Sequence, residues 1–363
     1  MSILARIKEQ ISLLSFEEQY LLVEHLSLQQ DIQKQDILQR LSAQVEFCPH
    51  CKSSKIIKWC KYKDTNRFKC KKCAKTFIPN TGTAVHWLKK PSAFIDYAVV
   101  MFSEGFNSLK SQSKRVGVSA RTAFDWRHRI LTALGSEAPD FKGLTEMDDI
   151  WFRYSQKGRQ GLKYSRKRGR SSHKGDNNFQ AKVLITKDRG AGLDMSLLKI
   201  GRLSRKDISG KLSGKFKETA TLISDKHPSI KSFSNSEHIN HKSFIAKHHT
   251  KDETYHIQTV NNLAGSLKAG VNYCLRGVST KYLQNYASWF AVKEKYKNHK
   301  DKVRSIIIDC ISNTKAWDMF TNIEKLYEQF ILNHSVRTYR CPTKRTWKYQ
   351  NWNFENAKSG SFI

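Results

Sequence analysis

The chain has 363 residues, 39% of them hydrophobic and 11% aromatic, enough for two or three domains with cores of their own and too apolar for a disordered polymer. Against 32 Asp and Glu stand 64 Lys and Arg, a formal net charge of +32; an excess that large resists compaction unless a polyanion neutralises it, and it points to nucleic acid. No apolar run approaches the roughly 18 residues of a spanning helix, the N-terminus lacks a signal-peptide pattern, and the basic residues lie in separate clusters and not along one amphipathic helix, so the expectation is an intracellular, cytoplasmic chain with reduced cysteines and no membrane partner.

Residues 1–45 read as an N-terminal helical segment. Leu4, Ile7, Ile11 and Leu14 keep helical spacing, and Ser15 with Glu18 forms a capping box opening a second helix that carries Leu21, Leu22 and Leu26. The pair is expected to be a packing appendage, with assembly or docking as the alternative. Residues 46–80 are sharper. Cys48-Pro-His-Cys51 and Cys70-Lys-Lys-Cys73 are separated by 18 residues, the spacing at which two knuckles bring four thiolates to one tetrahedral Zn²⁺, and the segment between has too few apolar residues to fold unaided. Cys60 has no partner at ligand spacing and is read as a bystander. Lys and Arg crowd this zinc ribbon, with Trp59, Tyr62 and Phe68 among them, a surface suited to phosphates.

Residues 91–136 contain three helical segments, with Gly117-Val-Ser119 turning into Ala120 to Leu134. Helix, Gly-containing turn, Ser N-cap and an Arg-rich second helix is the helix-turn-helix layout, in which that second helix enters the major groove. Arg121, Thr122, Asp125, Trp126, Arg127 and Arg129 are placed on or beside it, with Arg121, Arg127 and Arg129 as the DNA contacts. From residue 143 strand-like runs follow at 144–154, 180–187, 194–202 and 220–225, then helices at 258–273 and 278–298, which predicts an α/β layer with one mixed sheet. Between the first two strands lies Lys163-Tyr-Ser-Arg166-Lys167-Arg168-Gly-Arg170-Ser-Ser-His-Lys174; Arg166, Lys167, Arg168 and Arg170 are read as a phosphate clamp beside the first strand.

That first strand carries acid. Unpaired carboxylates on a sheet are costly, so they are hydrogen-bonded, ion-paired or used to hold a cation. A two-metal phosphoryl-transfer site needs hard Mg²⁺ or Mn²⁺ ions on oxygen ligands. Asp148 is the candidate bridging carboxylate, Asp225 a second ligand from a neighbouring strand, and Asn261 a third from the later helix. Lys268, seven residues on and therefore on the same helical face, is placed to hold a phosphate. Asp149 stays open as the alternative to Asp148, because strand alternation lets only one of them face the site; Asp252 and Glu253 compete for the third role.

The order of these parts is specific. A helical N-terminus, a four-Cys ribbon, Thr122-Ala-Phe-Asp-Trp126-Arg-His-Arg-Ile-Leu131, then Asp148-Asp149-Ile-Trp-Phe, Ser155-Gln-Lys-Gly158, Ser224-Asp225, His256-Ile-Gln-Thr-Val-Asn261 with Lys268, and Gly277-Val-Ser-Thr-Lys281-Tyr-Leu-Gln-Asn285 resemble a group of bacterial insertion-sequence transposases that set a zinc ribbon ahead of a ribonuclease H-like DDE core. The resemblance runs over about residues 5–298. It implies a multidomain α/β chain: N-terminal helices, zinc ribbon, helix-turn-helix, a ribonuclease H-like mixed sheet flanked by helices over 143–300, and a helical, basic C-terminal tail over 301–363. It implies Asp148, Asp225, Asn261 and Lys268 as catalytic residues, with Asn261 a native variant of the usual third acid and Asp149 in place of the commoner Glu. It further implies a metal-dependent enzyme that binds terminal inverted repeats, frees a 3′-hydroxyl by hydrolysis and joins it to target DNA, as a homo-oligomer in the DNA complex at the nucleoid. The alternative is a catalytically silent, transposase-derived DNA-binding protein.

Overall fold

The computed structural model describes residues 3–43, 45–62, 65–135, 137–160, 175–244 and 254–333. The chain divides into two compact units, one of Met1–Ser136 with Ala269–Arg276 and Ser288–Asn322, the other of Glu137–Lys268 with Gly277–Ala287 and Ile323–Ile363. Among the described residues no helix is long and apolar enough to cross a membrane.

The first unit begins with α1 (Ile3–Ser12) and α2 (Phe16–Ala43). The expected capping box closes the turn between them: the Ser15 N–H donates to Glu18 Oε2 at 2.8 Å, and the Glu18 N–H donates to Ser15 Oγ at 3.3 Å. Three antiparallel strands follow, β1 (Ile56–Tyr62), β2 (Thr65–Cys70) and β3 (Thr76–Phe77), in that order across the sheet. Then come α3 (Pro91–Glu104), α4 (Leu109–Val116) and α5 (Ala120–Ala133). The sequence dictates their ends. Ser108 and Ser119 cap α4 and α5 by accepting the Ser111 and Thr122 N–H groups, and Gly117, at φ 70°, closes α4 in the left-handed conformation that glycine adopts without penalty.

The second unit is a five-stranded sheet. β4 (Leu144–Arg153), β5 (Gln180–Asp188) and β6 (Leu193–Ile200) form an antiparallel meander; α6 (Arg205–Leu212) leads to β7 (Thr221–Asp225), and α7 (Pro228–Ser236) to β8 (Asn240–Phe244). Across the sheet the order is β6-β5-β4-β7-β8, with β7 parallel to β4 and β8 parallel to β7. Alternation along the strands sorts their residues between two faces. Met147, Leu184 and Leu222 join Ile208 and Leu212 of α6 and Ile230 and Phe233 of α7 in one core, whereas Ile223 lies on the other face with Ile257, next to α8 (Gln258–Ala269). The helix then passes through a π turn at Gly270–Cys274, and α9 (Leu283–Lys295) follows. Gln284 ties the start of α9 to β6 by accepting the Leu197 N–H and donating to the Met195 carbonyl.

Beyond α9 the chain returns to the first unit with α10 (Lys302–Ser312) and α11 (Ala316–Thr321), before α12 (Ile323–Asn333). Ile306, Ile307, Cys310 and Ile311 of α10 are buried, and Asn313 donates to the Ala133 carbonyl at the end of α5. Residues 301–322 therefore complete the core around the three helices. β8 and α7 have no counterpart in the sequence-based expectation: β8 is Asn-His-Lys-Ser-Phe, too short and polar to read as a strand, and parallel pairing with β7 supplies its order.

Candidate active site

Asp148 and Asp149 are neighbours that do opposite things. Asp149 faces the α6–α7 side, where Lys182 Nζ lies 2.9 Å from Asp149 Oδ2 and 2.6 Å from Asp176 Oδ1, both side chains of the Asp149–Lys182 pair being under 10% exposed at 8% and 5%. His227 Nε2 lies 3.6 Å away on the same carboxylate. Asp149 is thus a neutralised acid in a structural pair. Asp148 points to the other face, the one Glu146 shares, and carrying the β4–β7 register two residues past Glu146↔Ile223 sets Asp148 alongside Asp225. Burial first, then the Asp225 and Asp149 carboxylates, push the Asp148 carboxyl up to about 7, against the opposing pull of the Asp149 backbone N–H at 2.8 Å and the Lys268 ammonium. Strand alternation therefore puts Asp148, and not Asp149, on the face that Asp225 shares.

Asp225 ends β7, and its carboxylate is fixed by the His227 N–H at 3.0 Å. On α8, Val260, Ala264 and Leu267 form the buried stripe. Asn261 and Lys268 border that stripe and are half-buried, whereas Asn262 is exposed, which separates Asn261 from its neighbour. Asp148, Asp225 and Lys268 are brought within electrostatic reach of one another's charge at Asp148, and Asn261 lies on the helix that supplies Lys268. Two carboxylates and an amide oxygen are hard donors of the kind Mg²⁺ or Mn²⁺ takes.

Glu146 has no role in the sequence-based reading. It is 1% exposed, two residues before Asp148 on the same face. Its carboxylate accepts the Val260 N–H at 3.0 Å and the Thr259 hydroxyl at 2.8 Å, and it pairs with Arg189 at 2.9 Å. An acid at the first turn of α8 satisfies an N–H the helix leaves open and complements its dipole. Glu146 thereby pins the start of α8 to the strand bearing Asp148, one residue before Asn261. An acid spaced two from Asp148 on a buried strand was the available signal.

In the first unit the four cysteine Sγ atoms lie within 4.8 Å of one another, Cys48 to Cys73 at 3.7 Å and Cys51 to Cys70 at 3.5 Å. Tetrahedral Zn–S bonds of about 2.3 Å place sulfurs about 3.8 Å apart, so the cage is sized for zinc. The knuckles repeat one geometry: the Cys48 and Cys70 N–H groups donate to the carbonyls five residues on, Ser53 and Lys75, and the residues after each second Cys, Lys52 and Ala74, sit at φ 61° and 57°. The backbone N–H of Cys73 leads the interactions that hold the Cys70 thiol down to about 6, while burial and the neighbouring thiols push its partner Cys51 up to about 11, so the proton of the pair sits on Cys51.

The helices correct part of the expected DNA surface. Arg121 is 84% exposed on its side chain, near Asp125 at the first turns of α5. Arg127 and Arg129 point inward instead, 1% and 6% exposed. Arg127 donates to the Tyr97 hydroxyl, the Asn107 carbonyl and Gln112 Oε1 at 3.3, 3.0 and 2.6 Å. Arg129 donates to the His86 carbonyl at 2.9 Å and stacks over Trp317 at 4.2 Å, and burial pushes its guanidinium down to about 10. Trp126 is buried as well. Beyond its first turns α5 is enclosed on all sides, so Arg127 and Arg129 are structural cations and not contacts for a nucleic acid.

Residues 140–294 match the family described as the ISXO2-like transposase domain. That segment belongs with the insertion-sequence transposases. The chain is also 28% identical over 148 residues, 40% of its own length, to a protein of the transposable element ISH50 from Halobacterium salinarum, and it spans half the length of that relative. The transposase segment contains Asp148, Asp225, Asn261, Lys268 and Glu146; the four cysteines and α3–α5 precede it. The proposed clamp of Arg166, Lys167, Arg168 and Arg170 lies within it but outside the described residues, as do Asp252 and Glu253.

Proposed function

We propose that this chain is an active insertion-sequence transposase that binds terminal inverted repeats, cleaves a DNA strand at the element end and transfers the freed 3′-hydroxyl to target DNA. One observation carries the reading: in a chain of +32, Asp148 and Asp225 stand side by side on parallel strands with Asp148 held near neutral by burial and then by that neighbouring charge, while the adjacent Asp149 is paired off by Lys182. A fold that neutralises one acid and leaves its neighbour facing another acid has kept that second position for a cation. The sheet order, an antiparallel meander extended by two parallel strands, supports a ribonuclease H-like core.

In this reading Asp148, Asp225 and Asn261 hold Mg²⁺ or Mn²⁺, which when bound supplies a polarised phosphodiester and a water of lowered pKa. The two carboxylates fix where charge can be received, and Asn261 adds an oxygen without a third negative charge. Lys268 places a cation where the phosphate would lie. Glu146 keeps α8, and with it Asn261, in register with β4. The Cys48, Cys51, Cys70 and Cys73 cage holds a structural Zn²⁺ that folds the ribbon, and Arg121 with the basic residues of the ribbon carries the phosphate contacts. The test is cleavage of a labelled terminal repeat by the purified protein with Mg²⁺ or Mn²⁺. Nicking at the element end that is lost in Asp148→Ala and Asp225→Ala with repeat binding intact is expected; binding without metal-dependent nicking would establish the silent DNA-binding alternative.

A further inference from the structure

Among the described residues, 21 large apolar side chains stand exposed, and 11 of them fall between Ile3 and Ile32, on α1, the turn after it and the N-terminal part of α2. This is not a scatter of surface residues. Together they present on the order of 1,000 Å² of mostly apolar surface, more than the roughly 800 Å² that each partner buries in a standard interface. In α2 the exposed residues fall on two sides. Phe16, Tyr20 and Val23, at 84%, 65% and 62% exposure, follow one stripe; Leu21, Leu28 and Ile32, at 62%, 59% and 53%, follow another at i, i+7 and i+11. A helix apolar on two sides needs two covers, and α1, which meets α2 at the turn where Gln19 donates to the Ile11 and Leu14 carbonyls, leaves both stripes exposed. Among the described residues the segment is rooted at its far end, where Ile37 is buried, Lys34 pairs with Asp96 at 2.8 Å and Arg304 with Asp36 at 2.6 Å.

Charge decides what the cover is. Residues 3–33 hold five acids and two bases, net −3 in a chain of +32, so DNA is repelled from the one segment whose apolar surface is largest. We propose that α1 and α2 form a self-association element through which two copies of this chain pair, the α1–α2 segment of one against that of the other. Two copies bring four helices, enough to enclose an apolar core, and a twofold arrangement closes on itself and covers both stripes. The proposal goes beyond the cleavage chemistry and requires no DNA.

The experiment is the mass of the full-length chain, zinc-loaded and freed of nucleic acid, by sedimentation velocity at micromolar concentration. A species near twice 42.0 kDa is expected, and the triple variant Leu21→Glu, Leu28→Glu, Ile32→Glu is expected to run as one chain while keeping its bound zinc and its affinity for the terminal repeat. Leu28→Gln alone should weaken pairing about tenfold or more, the loss of one buried leucine at each copy. Amide exchange across residues 16–33 should slow as the wild-type concentration rises. A wild-type monomer at micromolar concentration, a triple variant that stays paired, or amide exchange independent of concentration would each overturn the proposal.

Discussion

Adjacent aspartates in β4 should respond to the same substitution with opposite signs. The Asp148 carboxyl is raised from 3.8 to about 7, which corresponds to about 4 kcal/mol of disfavoured ionisation at about 1.4 kcal/mol for each tenfold change in acidity. The sign follows from the direction: the fold binds the proton more tightly than the unfolded chain, so the penalty is absent below about pH 4, grows as pH rises, and is complete above about 7. Asp148→Asn removes the charge at nearly constant shape. In divalent-metal-free buffer with zinc retained, it should stabilise the second unit at pH 8 by about 1–3 kcal/mol, part of the full amount because Asn keeps a polar group in the site, or roughly 2–4 °C in Tm per kcal/mol. Near pH 4 the gain should vanish, and added Mg²⁺ should stabilise the wild type but not the variant. Asp149→Asn strips one carboxylate from a buried Lys182 that retains Asp176 at 2.6 Å, and should cost about 2–3 kcal/mol. Thermal melts of both variants across pH 4 to 8 measure this. A destabilising Asp148→Asn at pH 8, or equal effects at the two positions, would refute the assignment of Asp148 as the uncompensated acid.

Three more outcomes follow. The chain should hold one equivalent of zinc, released by chelator with loss of the ribbon's structure, and Ala74→Gly should raise ribbon stability by about 1 kcal/mol because it relieves a left-handed φ of 57°; metal-release assays and melting of the ribbon check both. Arg127→Ala should lower the stability of the first unit by about 2–4 kcal/mol, since it takes the charged donor from Gln112 Oε1 and from the Asn107 carbonyl in a buried site, whereas Arg121→Ala should leave melting unchanged and weaken repeat binding with a shallower salt dependence. Glu146→Gln should keep the fold but loosen α8, lowering nicking at least tenfold and raising the Mn²⁺ concentration needed for half-maximal rate; an unchanged metal requirement would remove its positioning role.

Much of the second unit was legible in the sequence because its strands are long and buried. β4 and β5 carry β-branched, aromatic and aliphatic runs, and their positions match the expected ones within two residues. The ribbon cysteines were legible from spacing alone, and the ends of α4 and α5 from Ser108, Gly117 and Ser119. Arg127 and Arg129 were misplaced because an arginine at helical spacing reads as surface; what turns them inward is long-range, with Tyr97 and Gln112 from α3 and α4 for one and Trp317 from α11 for the other. Only assembly of the sheet separates Asp148 from Asp149, since the partner that neutralises Asp149 is 33 residues away on β5. Glu146 escaped for the same reason, its partners being Thr259 and Val260 over a hundred residues on.

The shared cation at Asp148, Asp225 and Asn261 is tested most directly by counting bound Mn²⁺ through its paramagnetic resonance in the zinc-loaded protein with terminal-repeat DNA. Binding should drop in Asp148→Asn, in Asp225→Asn and, less steeply, in Asn261→Ala, and should persist in Asp149→Asn. Mn²⁺ occupancy that survives loss of both Asp148 and Asp225, or that depends on Asp149 instead, would contradict the account.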